Sequence, residues 1–190
     1  MIGVLAIQGG FAAHRKTLDR CGVASKEVRL AEALEDCDAL ILPGGESTTM
    51  LKLIQAFDLK PALDQFAASG KAVLGTCAGA ILLSQRVTHP EQDSLGWLPA
   101  DIERNAYGSQ VDSFTESQSC PTWNLAEYHA LFIRAPRFTN IQGETKVISR
   151  LGDQITGVQY RNLTAVTYHP ELTDDTRFHR AWLDHCVYSN

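Results

Sequence analysis

No apolar run in this chain approaches the ~20 residues that a membrane-spanning helix needs, so a helical membrane protein is not expected. Lys and Arg number 17 against 22 Asp and Glu, a formal net charge of −5, and no basic run occurs. That balance speaks against nucleic acid and anionic membranes as partners. No C-x-x-C is present. The five cysteines, Cys21, Cys37, Cys77, Cys120 and Cys186, are odd in number and irregularly spaced. They suit a reducing cytoplasm, with four packing or surface thiols beside one reactive one. His179 and His185 have no partner pattern for a metal, and none is expected. The phosphate-loop pattern G-x-x-x-x-G-K-[ST] is absent. There is no internal repeat and no low-complexity linker. The first residues, MIGVLAIQGG, show no basic leader and no cleavage site, and read as a first strand. The 190 residues are expected to form one domain spanning 1–190.

What is present centres on KAVLGTCAGAILLS, Lys71 to Ser84. Ala72 to Leu74 reads as a buried strand and Ala78 to Leu83 as a buried helix. Between them lies Gly75-Thr76-Cys77-Ala78-Gly79. A strand that turns at once into a helix needs small flanking residues, because the backbones pass close together. The residue at the tip is then strained and exposed. G-x-C-x-G is the cysteine counterpart of the serine nucleophile elbow. A helix N-terminus at Cys77 favours a thiolate. A buried packing cysteine in a tight turn is the competing reading.

The rest of the first half alternates strand and helix. Ile2 to Ile7 is a strand ending at Gln8-Gly9-Gly10, and Phe11 to Cys21 is a helix closed by Gly22. His14 reads as a polar-face histidine of that helix. Ser25 to Arg29 is a strand, Ala31 to Cys37 a short helix and Ala39 to Leu42 a third strand. Pro43-Gly44-Gly45-Glu46-Ser47-Thr48 follows, a loop with exposed N–H groups, in which Ser47 and Thr48 can cap a helix from Thr49 to Phe57. Pro61 to Ser69 is another helix. This order argues a parallel, doubly wound sheet, which binds ligands beyond the carboxyl ends of its strands. Gln8, Gly45 and Cys77 all fall at such ends.

After Gln85 the texture turns β-rich. His89 to Pro99 reads as a loop. Asp101 to Asn105, Gln110 to Phe114 and Ala130 to Arg134 read as strands. Lys146 to Arg150 and Ile155 to Tyr160 form a hairpin, and Leu163 to Tyr168 is a last strand. Glu116 to Tyr128 offers no readable pattern. The fold class is α/β: a mostly parallel central sheet, helices on both faces, and added antiparallel edge strands. Tyr168-His169-Pro170-Glu171-Leu172 sets a base beside a carboxylate that can orient it. A turn leading to the last helix is the alternative. Thr173 is the expected cap of that helix, with Asp174 and Asp175 in its first turn and Phe178, Trp182 and Cys186 as its apolar stripe.

Together Cys77, His169 and Glu171 specify acyl transfer through a thioester. The N–H groups of Ala78 and Gly45 can stabilise the oxyanion, and one such donor is worth roughly 3 kcal/mol of barrier. These residues do not name the acyl group.

G-T-C-A-G with Y-H-P-E-L resembles the class I glutamine amidotransferases, whose triad is Cys, His and Glu. L-P-G-G-E-S-T-T-M (Leu42 to Met50), E-R-N-A-Y-G (Glu103 to Gly108), V-D-S-F (Val111 to Phe114), F-I-R-A-P (Phe132 to Pro136) and H-P-E-L-T (His169 to Thr173) narrow the resemblance. They are similar to the PdxT family, the glutaminase subunits of pyridoxal 5′-phosphate synthase. The resemblance implies a flavodoxin-like α/β fold. It implies Cys77, His169 and Glu171 as catalytic residues, and Gly45, Glu46, Ser47, Arg104, Ile133 and Arg134 as contacts of L-glutamine. It implies no cofactor, a PdxS-like (β/α)8-barrel synthase as partner, and a cytoplasmic location. Three other readings remain: the glutaminase of another amidotransferase such as imidazole glycerol phosphate synthase, a PfpI-like cysteine peptidase, and a non-catalytic binding subunit.

Overall fold

A computed structural model describes residues 1–106 and 113–189. The parallel centre is made by β1 (Ile2–Leu5), β2 (Ser25–Val28), β3 (Ala39–Leu42), β4 (Ala72–Thr76) and β12 (Leu163–Val166), in the order β2-β1-β3-β4-β12. The sheet continues antiparallel through β11 (Gln154–Tyr160) and β9 (Arg137–Ile141) to β6 (Leu98–Glu103), then ends on β5 (Ser84–Thr88), which runs parallel to β6. β10 (Lys146–Leu151) pairs with β11 beside this path. The expected antiparallel extension is therefore there. A separate two-stranded ribbon, β7 (Ser113–Cys120) and β8 (Leu125–Ile133), stands apart from the main sheet.

The continuous apolar strands sit in the centre because both faces are covered. Alternation splits their side chains between two cores. Leu40, Leu42 and Val73 pack on one side with the helices α2 (Ser47–Ala56), α3 (Lys60–Ala68) and α4 (Ala78–Leu83). Ala39, Ile41 and Leu74 pack on the other with α1 (Phe11–Arg20) and α5 (Arg177–Trp182). Phe178 and Trp182 anchor α5 there, fully buried. Burying a side chain of that kind is worth roughly 1.5–3 kcal/mol. The β7–β8 ribbon closes this second core with Trp123, Tyr128 and Phe132.

Some expectations need correction. Ala31–Leu34 is a single 3-10 turn rather than a helix to Cys37. The cap of α2 is Glu46, whose carboxylate accepts the N–H groups of Thr48 and Thr49; Ser47 and Thr48 lie inside the helix. The final helix starts at Arg177, not after Thr173, because Pro170–Leu172 forms its own 3-10 turn. Asp175 then accepts the Arg177 N–H at 3.0 Å. Strand β5 was hidden in polar sequence. The Gln110 to Phe114 strand lies mostly outside the described residues, which resume at Ser113. Glu116 to Tyr128, unreadable in sequence, is most of the ribbon and its turn.

The elbow tolerates no larger residue at Gly79. A Cβ there would lie 1.9 Å from the Leu42 carbonyl oxygen, which is backbone and cannot step aside. Gly79→Ala is therefore expected to lower stability by at least the ~1–3 kcal/mol typical of overpacking. Urea unfolding measures this, and an unchanged midpoint would contradict the close approach.

Candidate active site

Cys77 ends β4 and caps α4 with φ 46° and ψ −102°. This is the strained geometry of a nucleophile elbow, and a non-glycine residue holds it only when its surroundings fix it. The fixing is visible: Cys77 N–H donates to Val166 of the neighbouring β12 at 2.9 Å. The side chain is nearly buried, with 8% of the residue exposed at the crevice.

The same strand β12 leads to the candidate base, His169. His169 is pinned by its N–H, which donates to Leu131 of β8 at 2.8 Å. The Pro170–Leu172 turn swings Glu171 back under the ring, so that His169 Nδ1 and Glu171 Oε1 lie 2.7 Å apart. Burial opposes a charged His169, but the Cys77 sulfur and the Glu171 carboxylate raise its pKa to about 10. Burial likewise opposes a charged Glu171, yet His14 and His169 bring that carboxyl down to about 2. At neutral pH the pair is imidazolium and carboxylate.

The loop after β3 supplies the opposite wall. The Gly44 carbonyl accepts the Gly10 N–H at 2.8 Å, and the Glu46 N–H donates to Gln8 Oε1 at 2.9 Å. A Cβ on Gly44 would lie 2.3 Å from His169 Cε1, so bare backbone is required beside the ring. Glu46 is held near pKa 2: burial raises it, and hydrogen bonds from Thr49 and Thr48 outweigh that. Arg104 reaches across to Glu46 Oε1 at 3.1 Å and to Thr48 Oγ1 at 3.3 Å. Ser47 is buried and donates to Gln92 Oε1 at 3.0 Å, a partner that the sequence did not suggest.

Cys77, His169, Glu171, the Gly44–Ser47 loop and Arg104 border one cavity of about 480 Å³. Its walls include Gly45, Glu46, Ser47, Cys77, Ala78, Arg104, Ile133, Arg134, His169 and Glu171, together with Gln8, Gly9 and Gly10. Every residue singled out for chemistry or glutamine contact thus meets at the carboxyl edge of the sheet. Arg134 follows β8 with φ 41°, the positive-φ backbone by which the chain leaves that strand. The volume suits a small molecule, and two arginines beside a carboxylate suit a zwitterion.

A family model described as the SNO glutamine amidotransferase family matches residues 4–188. The chain belongs to the SNO glutamine amidotransferase family. It is 45% identical over 186 residues to the "Pyridoxal 5'-phosphate synthase subunit PdxT" of Thermus thermophilus, covering 97% of this chain and 96% of that one. It is 43% identical over 186 residues to the protein of the same name from Pelotomaculum thermopropionicum, covering 98% and 95%. A solved structure described as a glutamine amidotransferase superposes with a TM-score of 0.90 at 44% identity, covering 96% of this chain and 97% of that one. Membership in this amidotransferase family makes the chain a glutamine-hydrolysing enzyme. No helix among the described residues is long and apolar enough to cross a membrane.

One reading from the sequence is overturned. His14 is not on a polar face but fully buried, with Nδ1 3.0 Å from His179 Nε2 and Nε2 3.0 Å from Thr76 Oγ1. His14 Nε2 also lies 3.4 Å from Glu171 Oε2. Two histidines 165 positions apart leave no local pattern, so sequence spacing had no way to pair them.

Burial lowers the pKa of both, that of His179 to about 3. In the unfolded chain each would titrate near 6.5. A histidine with a depressed folded pKa gives stability that is complete above the unfolded value and lost as pH falls toward the folded one. Stability should therefore fall from pH 6.5 downward, by up to about 1.4 kcal/mol per pH unit for each histidine. His169, with its raised pKa, contributes with the opposite sign, its stabilisation being lost as pH rises from 6.5 through about 10. Urea midpoints at pH 7, 6, 5 and 4 test this, and His179→Gln should flatten the acid limb. Parallel limbs in both proteins would contradict it.

Proposed function

We propose that this chain is the glutaminase subunit of a pyridoxal 5′-phosphate synthase. The observation that carries the proposal is Cys77 on its strained elbow, facing the His169–Glu171 pair in a cavity also lined by Arg104 and Arg134. The Cys77 thiolate adds to the side-chain carbonyl of L-glutamine. The N–H groups of Ala78 and Gly45 receive the oxyanion. His169 gives its proton to the departing nitrogen, ammonia leaves, and a thioester remains. His169 then takes a proton from water, which attacks the thioester. Glutamate departs and the thiolate returns. Arg104, Arg134 and Glu46 hold the α-carboxylate and α-ammonium of the substrate, with Ser47 and Ile133 beside them.

Ammonia passes to a PdxS-like (β/α)8-barrel subunit, which joins it to a pentose phosphate and a triose phosphate. The names of the relatives and the G-G-E-S-T and F-I-R-A-P segments favour this synthase over imidazole glycerol phosphate synthase. The synthase is expected to switch the glutaminase on. The Gly44–Gly45 peptide is the candidate switch, because its carbonyl is tied to Gly10 in the turn Gln8-Gly9-Gly10. That turn borders the cavity beside Leu172, a leucine left 45% exposed, and this rim is the proposed docking edge. Rotating a peptide between two glycines meets little steric resistance. A preference of ~1.4 kcal/mol on docking gives a tenfold population shift.

The test is ammonia release from glutamine with and without the synthase. The rate should rise when the synthase binds. Gly45→Ala should reduce the activated rate far more than it reduces complex formation, because its Cβ would press on Gln8 Oε1 at 2.4 Å. An isolated chain that is already fully active would contradict the switch.

A further inference from the structure

Glu171 has a second oxygen that the triad does not use. Oε1 is taken by His169, whereas Oε2 is buried, faces His14 Nε2 at 3.4 Å, and has no other hydrogen-bond partner among the described residues. Behind His14 stands His179, wholly buried, with Nδ1 bare of any partner among the described residues.

Only two proton arrangements run through the neutral pair. In the first, Thr76 donates to His14 Nε2, His14 Nδ1–H donates to His179 Nε2, and His179 keeps its proton on Nδ1. That leaves a buried N–H without an acceptor and turns a lone pair toward a carboxylate. Both features are costly. In the second, His179 Nε2–H donates to His14 Nδ1, and His14 Nε2–H is shared between Glu171 Oε2 and Thr76 Oγ1. Only a lone pair is then left unpartnered at His179 Nδ1. The second arrangement satisfies every N–H of the two imidazoles. Burial, which disfavours the charged form of both histidines, agrees with a neutral pair.

We propose that His14 is a positioning residue for the triad: its Nε2–H holds the outer oxygen of Glu171, and His179 fixes the tautomer that makes this possible. The inner oxygen is thereby aimed at His169 Nδ1, in the way that outer partners orient a ligand or a base. Helices α1 and α5, which carry no triad member, are thus tied to the reaction through two imidazoles.

The inference rests on the Cys77–His169–Glu171 reading, and its test separates the two. In His14→Gln the new amide nitrogen would reach the place of Nε2, whereas in His14→Asn the shorter side chain ends near the place of Nδ1 and cannot reach Glu171. With the synthase present, His14→Asn should lower kcat roughly tenfold to a hundredfold, the worth of one charge-assisted hydrogen bond, with KM for glutamine nearly unchanged. His14→Gln should recover most of that loss. If Glu171→Gln keeps wild-type kcat, the triad reading itself fails. If Glu171→Gln is impaired while His14→Asn is not, or if His14→Asn and His14→Gln are equally impaired, the positioning role is overturned and the triad stands. Nitrogen NMR of the histidine-labelled wild-type chain decides the matter even if a variant does not fold. His14 and His179 should both be neutral with the proton on Nε2. A proton on His14 Nδ1, or an imidazolium at His14 or His179 at neutral pH, overturns the proposal.

Discussion

Replacing Cys77 with alanine is expected to leave a folded chain that releases no ammonia from glutamine. The change removes one sulfur at the edge of a cavity, where few packing contacts are lost. The strained backbone at φ 46° costs alanine no more than it costs cysteine. What disappears is the nucleophile, and with a triad of this kind the loss is on the order of 10⁶-fold in kcat. A glutamine-like electrophile should label Cys77 before the other four thiols. Burial holds those thiols in the unreactive protonated form. It raises Cys21 and Cys37, and pushes Cys120 and Cys186 up to about 11. Thiolate fraction controls the reaction, so the order follows. Peptide mapping gives the result. Label on Cys21 or Cys186 first, with full activity in Cys77→Ala, would contradict the assignment.

The second large effect separates the base from its orienting group. His169→Asn should lose kcat on the order of 10⁶-fold, because no other group among the described residues is placed beside Cys77 to move the proton. Glu171→Gln should lose less, on the order of 10⁴-fold. A glutamine there offers one oxygen and one NH2 where the carboxylate offered two acceptors. His169 Nδ1 and His14 Nε2 both need an acceptor at that site. Either His169 must then give up its Nδ1 proton, or His14 must turn a lone pair toward the new amide. If the two variants show equal and minor losses, His169-Pro170-Glu171 is only a turn.

The elbow was legible in the sequence because its demands are local. Apolar strand, small residues, cysteine and apolar helix lie within one short stretch, and a close backbone approach permits little else there. The parallel centre was legible for a similar reason, since strands covered on both faces are continuously apolar. The ribbon β7–β8 was legible only in part: Ala130 to Arg134 marks the end of β8, while most of β7 and the turn were not. Its strand SFTESQSC is polar, and its place is set by Tyr128 and Phe132 packing on Tyr168 and Phe178. The Glu46 cap was missed because serine and threonine are the usual caps, and only the folded loop turns the Glu46 carboxylate onto Thr48 and Thr49. His14 was misread because helical spacing says which residues share a face, not what covers that face. Here Thr76, Glu171 and His179 cover it.

The central claim is that this chain takes nitrogen from glutamine for a synthase that builds pyridoxal phosphate. Glutamine labelled with 15N in the amide, supplied with pentose and triose phosphates and a pool of unlabelled ammonium, tests it directly in the complex with the synthase subunit. The pyridoxal phosphate formed should carry the label with little dilution by the pool, and none of that label when Cys77→Ala replaces the wild-type chain. Product nitrogen drawn from the ammonium pool alone, with the wild-type chain present and bound, would contradict the claim.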